Sequence, residues 1–153
     1  MVHSSSFKYT VGIHNASSFV VPGTPWISGS TVSDGKQQVM RFPTVAKSVT
    51  VYNDTEATTA GSLRVHVQSG SNSCTTNGTD NAIAVTDPVI DGKHYVVLSV
   101  SQNSITLTQK MKEIYVSANG SDINYTVSAV LTNIPAGRMF DLTGSGINYG
   151  SRH

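Results

Sequence analysis

The sequence predicts an all-β protein: an antiparallel β-sandwich or jelly-roll-like fold of about seven to eight strands, with extended N- and C-terminal segments. Short segments of alternating apolar and polar residues recur between turn signals. Residues 62–68 show the strictest alternation, with Leu63, Val65 and Val67 on one face. No helix-length window places apolar residues at the i, i+3, i+4 and i+7 positions of an amphipathic helix. We therefore expect almost no helix.

The 153 residues fit a single domain, and a chain of this length can bury roughly 68–70% of its unfolded surface. We divide it into an N-terminal arm or edge (1–30), the sandwich (31–133) and an extended C-terminal segment (134–153). Pro22 and Pro25 cannot donate ladder hydrogen bonds, so the first part is expected at an edge, in a turn or in an extended arm.

The first strands follow a turn at Asp34-Gly35. Residues 37–42 and 48–53 read as strands, separated by a short connection that proline leads. The pattern predicts that 48–53 forms a hairpin with 62–68 across a longish polar loop.

Two further strand pairs are predicted in the second half. Residues 94–100 read as a strand that returns through a tight turn as 105–108. Residues 113–117 and 124–131 read as a pair around Asn119-Gly120, a strong turn dipeptide.

Between these halves lies a long polar segment, residues 69–92, rich in Ser, Asn, Thr, Asp and Gly. We expect a surface excursion with one short strand, and long loops of this kind are usually functional or mobile. The segment contains Cys74, the only cysteine, which has neither a histidine nor a base nearby in the sequence and is interpreted as incidental.

Composition excludes several classes of partner. The net charge is +1, only 12% of residues are charged, and no run of like charges forms a phosphate-binding patch, so we expect no nucleic acid. No apolar run approaches the roughly 20 residues that span a membrane. The N-terminus lacks the pattern of a secretory signal, so we expect assembly in the cytoplasm.

The sequence contains few candidates for catalytic or metal-binding residues. His66 is expected on the outward face of its strand, and no pair of histidines has the spacing of a zinc site. The aspartates lie almost entirely in turns, where they commonly cap their own backbone. No acid and base pair at a workable spacing can be nominated, so we predict a protein that is not an enzyme and has no cofactor and no metal.

The C-terminal segment 134–153 combines glycine with apolar side chains that must be buried somewhere. Either it folds back over its own sandwich or it extends onto a neighbouring subunit. Trp26, the only tryptophan, is open to two readings as well, as a lid on the core or as an exposed contact residue.

An ordered series of short segments along most of the chain resembles small virion structural proteins of marine tailed phages. These segments are Val11-Gly12-Ile13, Gly23-Thr24-Pro25-Trp26-Ile27-Ser28-Gly29-Ser30, Phe42-Pro43-Thr44-Val45-Ala46-Lys47, Leu63-Arg64-Val65-His66, Lys112-Glu113-Ile114-Tyr115-Val116, and Leu131-Thr132-Asn133-Ile134-Pro135 through Leu142-Thr143-Gly144-Ser145-Gly146-Ile147.

The resemblance implies a compact β-sandwich, frequently trimeric, that sits on the capsid exterior as a decoration or cement protein. Its partner would be the major capsid protein or another virion protein. The residues expected to make the contact are of types enriched at interface cores and lie in the two terminal segments. They are Trp26, Ile27, Arg138, Met139, Phe140, Leu142, Ile147 and Tyr149.

The alternative is a glycan-binding or adhesin module on the virion surface or a tail fibre. Aromatic side chains beside polar turns can stack on sugars, and the loop 69–92 with its neighbours would supply the site. Tyr115 and Tyr125 fall within strands, where packing is their more common use.

Overall fold

The computed structural model describes residues 23–56, 58–143 and 146–147. They form an antiparallel, all-β structure, which confirms the predicted fold class. The strands are β1 (Thr24–Val32), β2 (Lys36–Asn53), β3 (Ser62–His66), β4 (Asn81–Ala82), β5 (Val96–Leu98), β6 (Ser104–Leu107), β7 (Met111–Asn119), β8 (Ile123–Pro135), β9 (Leu142–Thr143) and β10 (Gly146–Ile147); the helix α1 (Pro88–Asp91) and a 3₁₀ turn (Ala136–Arg138) complete them.

The eight strands β1 to β8 share one hydrogen-bonded network, and β2 divides it into two layers. The second half of β2 pairs with β8 on one side and β6 on the other, and β8 also pairs with β1. The first half of β2 pairs with β7 and β4, and β7 leads through β3 to β5. We call these the first layer (β1, β8, β2, β6) and the second layer (β4, β2, β7, β3, β5).

The long strand changes layer at residues 42–47. The pairing register of β2 shifts between Arg41 and Ala46 against β7, and again around Ala46 against β8. Pro43 lacks a backbone N–H and so interrupts a ladder, and bulges are the usual device by which a strand bends from one sheet into another. The proline-led connection predicted between two strands is therefore a bend within one.

The predicted hairpins are wrong. β3 pairs with β7 and β5, not with β2. β5 and β6 do not pair with each other, and neither do β7 and β8. The predicted turns exist, and Gly35 and Gly120 have the positive φ values of 71° and 96° that favour glycine. Each turn after β5 and β7 carries the chain across to the opposite layer, so neighbours in sequence face each other across the core.

One core fills the space between the layers. Register pairs such as Met40 with Ile114, and Val49 with Ala129, place both partners inward. The core residues come from both layers, as a sandwich requires. They are Val32, Met40, Phe42, Ala46, Val49, Val51, Leu63, Val65, Leu98, Met111, Ile114, Val116, Ala118, Ile123, Tyr125, Val127, Ala129 and Leu131.

The segment 69–92 covers the outer face of the second layer. It contains β4 and α1, and it buries Cys74 against Val39 and Tyr115, which face away from the main core. Asp87 caps α1 by accepting from the N–H of Val89 at 3.0 Å, and it also accepts from the N–H of Ser71 at 2.6 Å. The one short strand predicted in this segment is present as β4. The packing of the segment on the sheet was not predicted, because the groups that anchor it are polar and lie far apart in sequence.

The side chain of Asn77 joins the 69–92 segment to the sheet by making the pair of backbone hydrogen bonds that a neighbouring strand would make. Its Oδ1 accepts from the N–H of Arg41 at 2.8 Å, and its Nδ2 donates to the carbonyl of Arg41 at 3.1 Å. Gly78 follows with a φ of 69° and donates its N–H to Val39 O at 3.2 Å. One side chain therefore satisfies both backbone groups of a residue in β2.

We expect Asn77→Ala to lower the free energy of unfolding by about 1–2 kcal/mol, because both backbone groups of Arg41 lose their partner. Urea denaturation measures this change. Asn103→Ala, at an exposed turn position, is the matched control and should change stability by less than about 0.5 kcal/mol. Equal effects in the two variants would contradict the proposed role of Asn77.

Both ends of the sandwich reach into the segments assigned to the termini. β1 is an edge strand from Thr24, with Pro25 at its second position, and β8 continues to Pro135. Of the readings offered for residues 1–30, the structure shows an edge for 24–30. Residues 1–22 lie outside the described part of the chain.

Candidate functional site

Three of the eight predicted contact residues pack on the sandwich itself. Trp26, Met139 and Leu142 lie partly buried against the main core. The indole of Trp26 meets the ring of Phe42 edge-on, with ring centroids 5.1 Å apart and an interplanar angle of 83°. The reading of Trp26 as a lid on the core therefore describes its surroundings, and the residues that follow β8 fold back over the same core as far as Leu142.

The neighbours of these anchored residues point outward. Ile27 is 70% exposed and Phe140 is 49% exposed, and Arg138 is exposed in the 3₁₀ turn. In β1 this contrast follows from the period of two, which places Trp26 and Ile27 on opposite faces. Each terminal segment thus presents a large exposed apolar side chain, Ile27 or Phe140. In each case the adjacent residue, Trp26 or Met139, packs on the core and holds the backbone in place.

The structure fixes the C-terminal segment further at Asp141 and Leu142. The Asp141 carboxylate pairs with the Lys112 ammonium of β7 at 2.5 Å, although its side chain is 69% exposed. The backbone of Leu142 in β9 pairs with that of Ile147 in β10. The side chain of Ile147 and all of Tyr149 lie outside the described residues, so those two predictions have no structural outcome.

A polar network on the outer face of the second layer involves Arg41, Glu113 and Tyr115. Arg41 Nε donates to Glu113 Oε2 at 2.9 Å, and the Tyr115 hydroxyl donates to Glu113 Oε1 at 2.8 Å. The remaining guanidinium nitrogens of Arg41 donate to the carbonyls of Cys74 and Thr75 at 2.7 and 2.6 Å. Glu113 is paired with Arg41 and Tyr115, and Arg41 also holds the 69–92 segment through two of its carbonyls, so the network is structural.

Cys74 is buried beneath that network. Burial raises the pKa of its thiol, outweighing hydrogen bonds with Ser69 and Asn81 and the nearby guanidinium of Arg41, which lower it. A thiol with a raised pKa is mostly protonated at neutral pH and is a poor nucleophile. The structure therefore assigns Cys74 a packing role.

His66 lies on the outward face of β3, as predicted, but that face is covered and the residue is buried. Only 2% of it is exposed. Its ring stacks on Tyr115, with centroids 5.9 Å apart and planes 13° from parallel. Burial lowers the pKa of His66 to about 4. The alternation predicts the face but not its burial, because the ring that stacks on His66 comes from another strand.

The hydrogen bond at His66 Nδ1 determines which ring nitrogen carries the proton. Nδ1 lies 2.6 Å from the carbonyl oxygen of Gln68, which can only accept, so Nδ1 carries the proton. The neutral ring that the lowered pKa requires then leaves Nε2 as an acceptor. Nε2 is buried without a hydrogen-bond partner among the described residues.

Among the residues that the structure describes, no group of three His, Cys, Asp or Glu side chains is arranged to hold a metal ion. No helix in the same part of the chain has the length and apolar character needed to span a membrane.

The exposed apolar residues of the two terminal segments and the buried, unpartnered acceptor of His66 are among the features that the packing of the core does not explain. No protein-family model matches the sequence, and no curated protein is similar enough to it to count as a relative.

Proposed function

We propose that this chain is a non-enzymatic virion structural protein, a capsid decoration or cement protein that binds the assembled shell and reinforces it. The proposal begins from the resemblance to small virion structural proteins of tailed phages. The structural observation that supports it is the pair of exposed apolar side chains, Ile27 and Phe140, held on anchored backbone in the terminal segments.

Anchoring matters because association costs free energy when side chains and loops must be ordered. Trp26 beside Ile27, and Met139 beside Phe140, are fixed against the core before any partner arrives. Large apolar residues displayed in this way bind with less loss of entropy than the same residues on a loose tail. Arg138 adds a donor of the type enriched in interface cores.

The implied trimer would gain from multivalency. One protomer offers a modest contact, but once one copy of a trimer is bound, each further contact becomes effectively intramolecular. On this proposal the partner is the major capsid protein or another virion protein, and the site of action is the capsid exterior, reached after assembly in the host cytoplasm.

We expect Ile27→Ser and Phe140→Ser each to reduce binding to shells that lack the protein by roughly tenfold, because truncating an interface anchor commonly costs more than 1 kcal/mol. Co-sedimentation of purified protein with such shells, titrated over protein concentration, measures occupancy. These substitutions are preferable to removing residues 134–153, because Ile134 is only 2% exposed and belongs to the fold.

Val85→Ser is the matched control, because Val85 is 77% exposed but lies in the 69–92 segment, outside the proposed contact. It should bind shells like the unaltered protein. Occupancy that Ile27→Ser and Phe140→Ser both leave unchanged would rule out the terminal segments as the contact, and absence of binding by the unaltered protein would rule out the function.

The alternative of a glycan-binding or adhesin module has less structural support. Tyr115 and Tyr125 are buried, and the guanidinium of Arg64 covers the ring of Tyr95 at 5.0 Å from its centroid. Tyr52, 40% exposed, offers a face to stack on a sugar. A glycan array separates the two functions, because a protein that only cements a shell should bind no glycan there.

A further inference from the structure

One side of the sandwich is open between the edge strand β5 of the second layer and the edge strand β6 of the first. Among the residues that the structure describes, β5 pairs only with β3, and β6 pairs only with β2. The opening is an apolar cleft of about 260 Å³, walled by the inward side chains of Val65, Val67, Ile105 and Leu107. Two free strand edges therefore border an apolar gap.

The edge strand β5 is weakly protected against pairing with a further strand. Proteins commonly guard an edge strand with proline, with charged side chains or with short length. β5 is short, but residues 94–101 contain no proline and no Asp, Glu, Lys or Arg. Val96, which faces inward in register with Val65, is 42% exposed, and Val97 on the outer face is 45% exposed. The strand lacks cover on both faces as well as a neighbour on its free edge.

The sequence ahead of β1 contains a segment with a matching pattern. Over residues 7–13 every second residue is apolar, namely Phe7, Tyr9, Val11 and Ile13. A period of two is that of a strand with one apolar face, and such a face requires apolar cover. The free edge of β1 offers little of it, because Ser28 and Ser30 occupy inward positions there. The cleft beside β5 offers valine, isoleucine and leucine.

The course of the chain favours the cleft of a neighbouring copy over its own. β1 and β6 are opposite edges of the first layer, three strand spacings or about 14 Å apart. At the end of the sandwich where β1 begins, the residues that follow β8 occupy the way across. They are held to β2 by the pairing of Pro135 with Thr44, and to β7 by the ion pair of Asp141 with Lys112.

We propose that residues 7–13 of one copy enter the cleft of a second copy of this chain and add a strand to the free edge of β5. Residues 14–22 span up to about 30 Å when extended, which is enough to reach a sandwich that lies beside β1. A cavity of about 150 Å³ with aliphatic walls takes up benzene, so the cleft has room for about two side chains, those of Tyr9 and Val11. The added strand supplies backbone hydrogen bonds to β5 and covers Val96.

The exchange has a consequence for assembly. Each copy donates from the side of β1 and accepts on the opposite side, and a head-to-tail contact of this kind closes into a ring when its rotation allows. The trimer of the proposed function is one such ring. The donor and acceptor residues are distinct from Ile27 and Phe140, and the exchange is measured without shells, so its failure is distinguishable from a failure of shell binding.

A charge on the apolar side of the donor segment tests the exchange. We expect the unaltered protein to form particles of several times the 16.2 kDa of one chain, threefold for a trimer, and Val11→Asp to reduce them to single chains. Thr10→Asp places the same charge on the other side of the segment and is the matched control, which should keep the oligomer. Light scattering after size-exclusion chromatography measures the masses, and circular dichroism shows whether each variant is folded.

A chain that carries both Val11→Cys and Val96→Cys distinguishes exchange from entry of the segment into its own cleft. A short bismaleimide should join separate copies, which gives covalent dimers and larger products on a denaturing gel. Replacing Val96→Cys by Thr58→Cys, at an exposed position in the loop between β2 and β3, is the matched control and should give few such products. Cys74 is 1% exposed, so the unaltered protein should not be joined.

The proposal is overturned if the unaltered protein is a single chain in solution, or if Val11→Asp keeps the oligomer. It is also overturned if Thr10→Asp dissociates the oligomer as fully as Val11→Asp does, or if the Thr58→Cys control is joined as efficiently as the Val96→Cys variant. Bridges confined to single chains would show that the segment enters its own cleft and would overturn the exchange. If Val11→Asp does not fold, the cross-linking result decides.

Discussion

Replacing Gln38 by methionine is expected to lower the free energy of unfolding by about 3 kcal/mol, although the side chain keeps nearly the same volume. Gln38 is 1% exposed and connects the two layers through their core. Its Nε2 donates to the carbonyl of Thr31 at 2.8 Å and to Asp80 Oδ1 at 2.6 Å, and its Oε1 accepts from the Tyr125 hydroxyl at 2.7 Å. Methionine would leave the buried Tyr125 hydroxyl without its acceptor, and the Thr31 carbonyl and the Asp80 carboxylate would each lose a donor.

The effect should depend on Tyr125 in a way that packing alone would not produce. Gln38→Met leaves the Tyr125 hydroxyl without an acceptor, and Tyr125→Phe removes that hydroxyl. The double variant should therefore be more stable, by about 1–2 kcal/mol, than the sum of the two single losses predicts. Urea denaturation of the four proteins in this cycle measures the coupling. Gln102→Met, on an exposed turn, is the matched control and should be nearly neutral. Strictly additive losses would show that the hydrogen bond contributes little.

Acid should destabilise the protein between about pH 6.5 and pH 4 through His66. Burial lowers its pKa to about 4 in the folded chain, so in this range the unfolded chain binds a proton that the folded chain does not. Stability therefore falls as the pH falls through this window, by up to about 3 kcal/mol, and this contribution stops changing below the folded pKa. Denaturation in urea at pH 7.0, 5.5 and 4.5 follows the loss.

The loss of stability caused by protonation of His66 can be distinguished from the losses caused by other titrating groups. Asp87 favours the charged ring, Arg64 opposes it, and the stacked Tyr115 adds apolar cover. The pKa of Asp87 is itself lowered, because hydrogen bonds from Ser71 and Val89 outweigh the burial that raises it, so its stabilising contribution is lost only in stronger acid. His66→Phe should flatten the slope between pH 6.5 and pH 4, whereas His94→Gln, at an exposed position, should keep it. A slope unchanged in His66→Phe would contradict the assignment.

Much of the candidate site follows from local sequence. The outward position of Ile27 opposite Trp26 follows from the alternation in β1, and the apolar character of residues 139–142 predicts that they find cover. Which of these side chains lie inward could not be predicted, because that depends on the register of β1 against β8 and on where the chain turns after Pro135.

Local sequence is enough to predict that the chain is β-structured, which residues of each strand share a face, and where the glycine turns fall, because a period of two and a positive φ are properties of a few consecutive residues. The pairing of the strands depends on the tertiary structure instead. The turns after β5 and β7 could equally have closed hairpins, but each crosses between layers, and β2 bends at Pro43 to serve both. The burial of His66 also depends on the tertiary structure, because its outward ring stacks on Tyr115 of β7 and lies near Asp87 of the distant segment 69–92.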